Sequence, residues 1–79
     1  MRARVYVTLK PSVFDPQGRV VADALLTLGY EDVTDVRQGK FFELELSAPS
    51  ADQAQKLASE VADKVLANPV IESYRVEVE

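Results

Sequence analysis

The sequence predicts an α+β fold in one domain, residues 1–79, with the element order β-α-β-β-α-β. Three observations predict it. Two segments carry apolar residues at helical spacing, the segments around them carry apolar residues at every second position, and proline, glycine or capping residues stand at the borders. In the split βαβ, or ferredoxin-like, arrangement, both helices would pack on one face of an antiparallel sheet and bury their apolar stripes there.

The first strand is predicted over residues 4–10, where Val5, Val7 and Leu9 alternate with residues that point the other way. Pro11 follows directly, and because it has no backbone N–H it ends the ladder.

The first helix is predicted over residues 15–29. Asp15 is a favourable N-cap, and Pro16 suits the first helical position. Gly29 stands where a left-handed C-terminal cap is expected. Gly18 fits less well, because glycine inside a helix costs about 1 kcal/mol relative to alanine, so we expect a separate reason for a small residue there. The apolar stripe consists of Val20, Val21, Ala24, Leu25 and Leu28.

Two strands are predicted next, a short one over residues 33–37 and a longer one over residues 40–47. Gln38–Gly39 lies between them, and glycine can supply a bend at no steric cost. A tight hairpin and a glycine bulge within one long bent strand both fit this pattern.

The second helix is predicted over residues 51–67, with Ser50 and Gln53 as a capping-box pair. Asn68–Pro69 ends it, because the residue before a proline is pushed out of the helical region. A last strand over residues 70–78 closes the domain.

One sheet face remains without a helix in this arrangement, and the alternation places aromatic residues there among charges of both signs. Tyrosine and phenylalanine are enriched at protein interfaces and arginine can pair across them, so we predict self-association through this face. A solvated face with cross-strand charge pairs is the alternative. The residues of the predicted self-association face are Tyr6, Phe41, Glu43 and Arg75.

Composition excludes several classes of function. The chain has 79 residues, no histidine, no cysteine and a net charge of −4. The usual zinc sites and the Ser-His or Cys-His triads are therefore impossible, and an acidic balance opposes nucleic-acid binding. No apolar stretch reaches the roughly 18 residues of a membrane span, and no signal-peptide pattern is present. We expect a cytoplasmic protein that binds neither nucleic acid nor membrane, without catalytic, cofactor or metal-ligating residues of its own.

Two short motifs resemble catalytic or phosphate-binding patterns but lack what those patterns require. Gly39–Lys40 lacks the upstream glycine of a phosphate-binding loop, and Phe41 replaces the residue that would hold magnesium. Glu43 and Glu45 share a strand face, but nothing in the sequence supplies the burial that would separate their pKa values for acid–base work.

Three blocks of the sequence resemble the PurS-type small subunit of phosphoribosylformylglycinamidine synthase. They are residues 5–18 (VYVTLKPSVFDPQG), 35–44 (DVRQGKFFEL) and 66–77 (LANPVIESYRVE). The blocks follow one another in the order of the family and together cover essentially the whole chain. Phe14 stands where an aliphatic residue is more usual.

The resemblance implies a non-catalytic subunit of a glutamine-dependent ligase of purine biosynthesis. It implies a homodimer, with a tetramer open for the isolated chain, that bridges a glutaminase subunit and a large synthetase subunit and helps ammonia pass between them. ATP and magnesium would be used by the synthetase, with no cofactor bound by this chain. The positions carried over as subunit contacts or local structure are Lys10, Asp15, Pro16, Gly18, Arg37, Gly39, Lys40, Asn68, Pro69, Glu72, Tyr74 and Arg75. We further hypothesise that Arg37 and Lys40 contact an acidic patch on a partner.

Two other functions share the predicted fold. A regulatory domain that binds a small molecule, of the amino-acid-sensing type, would need a pocket at a dimer interface. An acylphosphatase would need arginine and asparagine in its first loop, and residues 10–14 contain neither.

Overall fold

The computed structural model describes all 79 residues and contains three strands and two α-helices, the second of which continues into a π-helical turn. The elements are β1 (Arg2–Leu9), α1 (Pro16–Thr27), β2 (Gly39–Glu45), α2 (Ala51–Val61), the π-helical turn (Ala62–Leu66) and β3 (Glu72–Val78). The α+β class predicted from the sequence is confirmed.

The sheet has the strand order β2-β1-β3, and both pairs are antiparallel. The central strand, β1, alternates as predicted: Val5 lies opposite Phe42 on one side and Val76 on the other. Val5 and Val7 are completely buried. The apolar residues of the three strands therefore share one face.

Residues 33–37, predicted as a short strand, pair with no strand of this chain. Neither a tight hairpin nor a bulge within one long strand forms at Gln38–Gly39, because β2 begins at Gly39 with no strand before it and because Gly39 does not have the positive φ of a tight hairpin turn. The segment is held instead by side chains: Asp15 accepts a hydrogen bond from the Gln38 N–H, and Arg37 donates to the carbonyls of Leu9, at the end of β1, and of Lys10, in the loop that follows.

The second helix packs on the sheet through alanines. Ala54, Ala58 and Ala62 recur every fourth residue, so they lie on one side of the helix, and all three are completely buried. Small side chains let the helix backbone approach β1 and β3 closely. The core around Val5, Val7, Ala62 and Ala67 is completed by Phe42, Leu44, Leu66 and Val76.

The first helix begins and ends as its sequence predicts. Asp15 caps its N-terminus by accepting from the Gly18 N–H at 2.9 Å. At the other end Gly29 has φ 96°, and the N–H of Tyr30 donates to the carbonyl of Leu25 at 2.9 Å, which is a Schellman cap.

The two helices differ in how they pack against the sheet. Only α2 makes substantial contact with the sheet of its own chain, and the one buried residue of α1 is Gly18. The Cα radius of gyration is 15.7 Å, with extents of 50 × 25 × 14 Å. A compact domain of this length has a radius of gyration of about 11.6 Å, so α1 projects away from the body of the fold.

No helix in the chain is long and apolar enough to span a bilayer.

Candidate functional site

Eight of the family-like positions meet where β1 ends, α1 begins and the segments leading into β2 and β3 arrive. We call this cluster the loop junction; it consists of Lys10, Asp15, Gly18, Arg37, Gly39, Lys40, Asn68 and Glu72. Several of these residues line one shallow concavity of about 220 Å³. Residues far apart in sequence thus come together at one end of the sheet.

Asp15 ties the start of α1 to the segment before β2. Its side chain is 7% exposed. Oδ1 accepts from the Gly18 N–H at 2.9 Å and Oδ2 accepts from the Gln38 N–H at 2.8 Å. These two backbone donors, with a smaller contribution from the Arg37 charge, hold the pKa of the Asp15 carboxyl below its ordinary value. The carboxylate therefore stays ionised near neutral pH and acts as an acceptor.

Gly18 is small because two backbone segments meet there. A Cβ at this position would clash with the carbonyl oxygen of Val36 and lie 2.7 Å from Asp15 Oδ2. Gly39 is restricted in the same way, since its Cβ would clash with the carbonyl oxygen of Val7 and lie 2.8 Å from Thr8 Cγ2. Close approach of backbones is therefore the reason for both glycines.

Arg37 binds three main-chain carbonyls at the end of β1 and in the loop that follows. Its guanidinium donates to the carbonyls of Leu9 at 3.1 Å, Lys10 at 2.9 Å and Val13 at 3.4 Å. The planar fork of arginine suits several acceptors at once. The hypothesis that Arg37 contacts an acidic partner stays a prediction, but its donors already have acceptors within the chain.

Glu72 joins the loop before β3 to the start of β2. Its side chain is 12% exposed, and Oε2 lies 3.4 Å from Lys40 Nζ. Oε1 accepts from the Asn68 N–H at 2.7 Å, and Asn68 Oδ1 accepts from the Val70 N–H at 3.0 Å. The turn after α2 is therefore fixed by side chains on both of its flanks, with Pro69 between them.

Lys10 enters the junction through its main chain, whose N–H donates to the carbonyl of Ile71 at 2.8 Å. Pro16 occupies the first position of α1. Two further family-like positions lie outside the junction: Tyr74 is on the core side of β3 opposite Val7, and Arg75 is on the opposite face.

The predicted self-association face forms a continuous group of side chains. Tyr6 lies between Phe41 and Arg75 in the register of the sheet. The rings of Tyr6 and Phe41 have centroids 5.1 Å apart, and the guanidinium carbon of Arg75 lies 4.4 Å from the centre of the Tyr6 ring. Phe41 is 49% exposed. Glu43 is farther along the face, 3.9 Å from Arg2 Nε.

Every buried polar side-chain atom has a hydrogen-bond partner, and no group of three or more aspartate or glutamate side chains is arranged to hold a metal ion. The hydrogen bonds described above join the loops of the junction to one another and to the start of α1. The sequence identified the residues of the loop junction as family-like positions but did not predict their contacts with one another. Every residue type has a main-chain carbonyl, so the residues that accept hydrogen bonds from Arg37 cannot be recognised from the sequence.

Comparison with known proteins gives a consistent result over the whole chain. Residues 2–79 match the family model of PurS, phosphoribosylformylglycinamidine (FGAM) synthase. The chain is 49% identical over 78 residues to the phosphoribosylformylglycinamidine synthase subunit PurS of Bacillus subtilis, covering 99% of this chain and 92% of that protein.

Solved structures extend the similarity to three dimensions. The PurS subunit of formylglycinamide ribonucleotide amidotransferase from Methanocaldococcus jannaschii has a TM-score of 0.88 at 33% identity, covering 99% of this chain and 94% of that one. A chain in the structure of PurLQS from Thermotoga maritima also has a TM-score of 0.88, at 28% identity, covering 96% and 93%.

Proposed function

Because the chain belongs to the PurS family of phosphoribosylformylglycinamidine synthase, we propose that it is the non-catalytic subunit that bridges the other two subunits of this purine-biosynthesis ligase. The complete enzyme converts formylglycinamide ribonucleotide to formylglycinamidine ribonucleotide with ATP and glutamine. The small subunit would assist the transfer of ammonia from the glutaminase to the synthetase.

The observation that carries this proposal is family similarity over the full chain, combined with the chemistry of the best-formed cluster. The side chains of Asp15, Arg37 and Glu72 in the loop junction are engaged in holding loops, and the pKa of Asp15 is lowered. A carboxylate that stays ionised near neutral pH is a poor general acid. An adaptor needs a well-fixed shape more than it needs a reactive group.

The partners follow from the same family. The Thermotoga maritima relative was solved as PurLQS, so we propose that this chain binds the corresponding large synthetase and glutaminase subunits. We further propose a homodimer as the unit that binds them. ATP and magnesium belong to the synthetase in this proposal, no cofactor binds to the small subunit, and the enzyme works in the cytoplasm.

The proposal is tested by reconstituting the synthetase and glutaminase with and without this chain. Formylglycinamidine ribonucleotide formation is measured first with glutamine and then with ammonium as nitrogen donor. We expect the chain to be required with glutamine and dispensable with ammonium, because free ammonia needs no transfer between subunits. Equal activity with and without the chain under both conditions would refute bridging and would favour a regulatory domain that binds a small molecule.

A further inference from the structure

Almost all basic side chains of the chain are engaged within it, and Lys10 is one of two exceptions. Six of the nine lysine and arginine side chains lie in ion pairs, and a seventh, Arg37, donates to main-chain carbonyls. The ammonium groups of Lys10 and Lys56 have neither an ion pair nor a hydrogen bond within the chain. Lys56 is exposed on α2, whereas Lys10 is partly buried in the loop junction.

Three hydrogen bonds fix the main chain that carries the Lys10 side chain. The Lys10 N–H donates to the carbonyl of Ile71 at 2.8 Å. The Lys10 carbonyl accepts from the Val13 N–H and from the Arg37 guanidinium, each at 2.9 Å. A side chain that leaves a fixed main chain loses less conformational freedom on binding than one on a mobile loop. The chain therefore presents this cation from a fixed position and leaves it without a counterion.

Two exposed apolar side chains stand in the loops that this main chain joins. Phe14 is 72% exposed in the loop after β1, and Val70 is 77% exposed in the turn before β3. The hydrogen bond from Lys10 to Ile71 ties the two loops together, and the Asn68 side chain holds the turn by accepting from the Val70 N–H at 3.0 Å. Both apolar side chains remain in water unless another molecule covers them. We call the group of Lys10, Phe14 and Val70 the loop tip.

The other charges of the loop junction suit a surface that becomes covered. Asp15 accepts from two main-chain N–H groups, and Arg37 donates to main-chain carbonyls. Lys40 pairs with Glu72. Covering groups that already have such partners costs less than covering a charge that has none. Lys10 alone among the charged residues of the junction lacks a partner, and a carboxylate on the covering surface would complement its charge.

We propose that the loop tip docks on the glutaminase subunit, where Phe14 and Val70 enter an apolar depression and Lys10 pairs with a carboxylate at its edge. The inference rests on the proposed function and names the surface that makes one of the two contacts of a bridging chain. The proposed function also selects the glutaminase as the occupant. The chain is expected to be required with glutamine and dispensable with ammonium, so its contribution depends on its contact with the subunit that releases ammonia.

Two matched pairs of substitutions test this surface in the complete enzyme. Lys10→Glu is compared with Lys56→Glu, which makes the same change of net charge at the other lysine without a partner, and Lys10→Arg keeps the cation. Val70→Ser is compared with Val65→Ser, because Val65 is 76% exposed and lies outside the loop junction. A pull-down through the small subunit, from a mixture with synthetase and glutaminase, measures the retention of each. Activity is measured with glutamine and with ammonium, and circular dichroism and sedimentation report folding and self-association.

For Lys10→Glu and Val70→Ser we expect retention of the glutaminase to fall by about tenfold or more, with the synthetase retained as by the wild type. Glutamine-dependent activity should fall in parallel, while ammonium-dependent activity stays unchanged. Lys10→Arg and both control variants should remain within about twofold of the wild type.

The outcomes separate this inference from the proposed function. If the wild-type chain is required with glutamine but Lys10→Glu and Val70→Ser behave like it, docking through the loop tip is wrong and bridging stands. Loss of the synthetase in place of the glutaminase would overturn the choice of occupant. A changed oligomeric state with both subunits retained would show that a second copy covers the loop tip. A wild-type chain that retains neither subunit would refute bridging itself.

Discussion

Replacing Gly18 by alanine separates two physical effects that predict opposite signs. Helix propensity alone predicts a gain, because alanine is favoured over glycine by about 1 kcal/mol inside a helix. The structure predicts a loss, because a Cβ would clash with the carbonyl oxygen of Val36 and lie 2.7 Å from Asp15 Oδ2. The main-chain oxygen cannot rotate away as the end of a flexible side chain could.

The size of the loss in stability depends on how far the main chain at Val36 must shift to accept the added methyl group. Forcing an extra methyl group into a closely packed site typically costs about 1–3 kcal/mol. Displacing the segment at Val36 also strains the hydrogen bond from the Gln38 N–H to Asp15, and a hydrogen bond of this kind contributes about 1 kcal/mol. After the propensity gain is subtracted, we expect Gly18→Ala to lower the free energy of unfolding by about 2 kcal/mol.

Urea denaturation followed by circular dichroism measures this difference, with both proteins at the same protomer concentration because association adds to apparent stability. Gln17→Ala is the matched control, since Gln17 is the exposed neighbour in the same turn and makes only a solvent-exposed side-chain contact with Gln38. We expect the control to stay within about 0.5 kcal/mol of the wild type. A Gly18→Ala protein as stable as the wild type would refute the argument that backbone approach explains this glycine.

Three further predictions concern the junction and the core. For Asp15→Asn we expect a lower melting temperature than for the wild type at pH values above 3.8, the ordinary pKa of aspartate. The difference should shrink as the pH falls below 3.8, because the N–H groups of Gly18 and Gln38 lower the pKa of Asp15 in the folded state and protonation removes this advantage. Thermal melts of both proteins between pH 6 and pH 2 check this. For Arg37→Lys we expect a loss of about 1 kcal/mol in urea denaturation, because an ammonium group cannot reach several carbonyls as the guanidinium fork does. For Ala58→Leu we expect a loss of about 2 kcal/mol in the same assay, because α2 approaches the sheet through completely buried alanines, whereas leucine at the exposed Ala51 should be nearly neutral.

Local sequence signals predicted most elements of the fold because their causes are local. The alternation of Val5 and Val7, the caps at Asp15 and Gly29, and the capping interaction of Ser50 with the Gln53 N–H are each determined by a few neighbouring residues. The strand predicted over residues 33–37 was wrong as a member of the sheet for the opposite reason. The position of this segment is set by hydrogen bonds of the Asp15 and Arg37 side chains to main-chain groups distant in sequence. The alternation of residue types does not predict such hydrogen bonds.

For the candidate site, too, the sequence predicted which residues belong to it but not how they contact one another. The family-like positions were named from the sequence, and the structure brings eight of them together at the loop junction. Their roles could not be read from residue types, since a lysine and an arginine beside a glycine are equally consistent with a partner contact and with internal bonds. The structure shows the ion pair of Lys40 with Glu72 and the carbonyl contacts of Arg37, so both residues make contacts within their own chain.

The placement of α1 shows what an apolar stripe can and cannot predict. Hydrophobic periodicity states which side of a helix must be buried, and the sequence identified that side from Val20 to Leu28. It does not state which chain provides the cover, because the free energy gained by removing apolar area from water is the same for either source. In a chain of 79 residues, one helix cannot be withdrawn from the sheet without leaving both surfaces exposed, and α1 is withdrawn. The radius of gyration of 15.7 Å, against about 11.6 Å for a compact domain of this length, reflects this withdrawal of α1 from the sheet of its own chain.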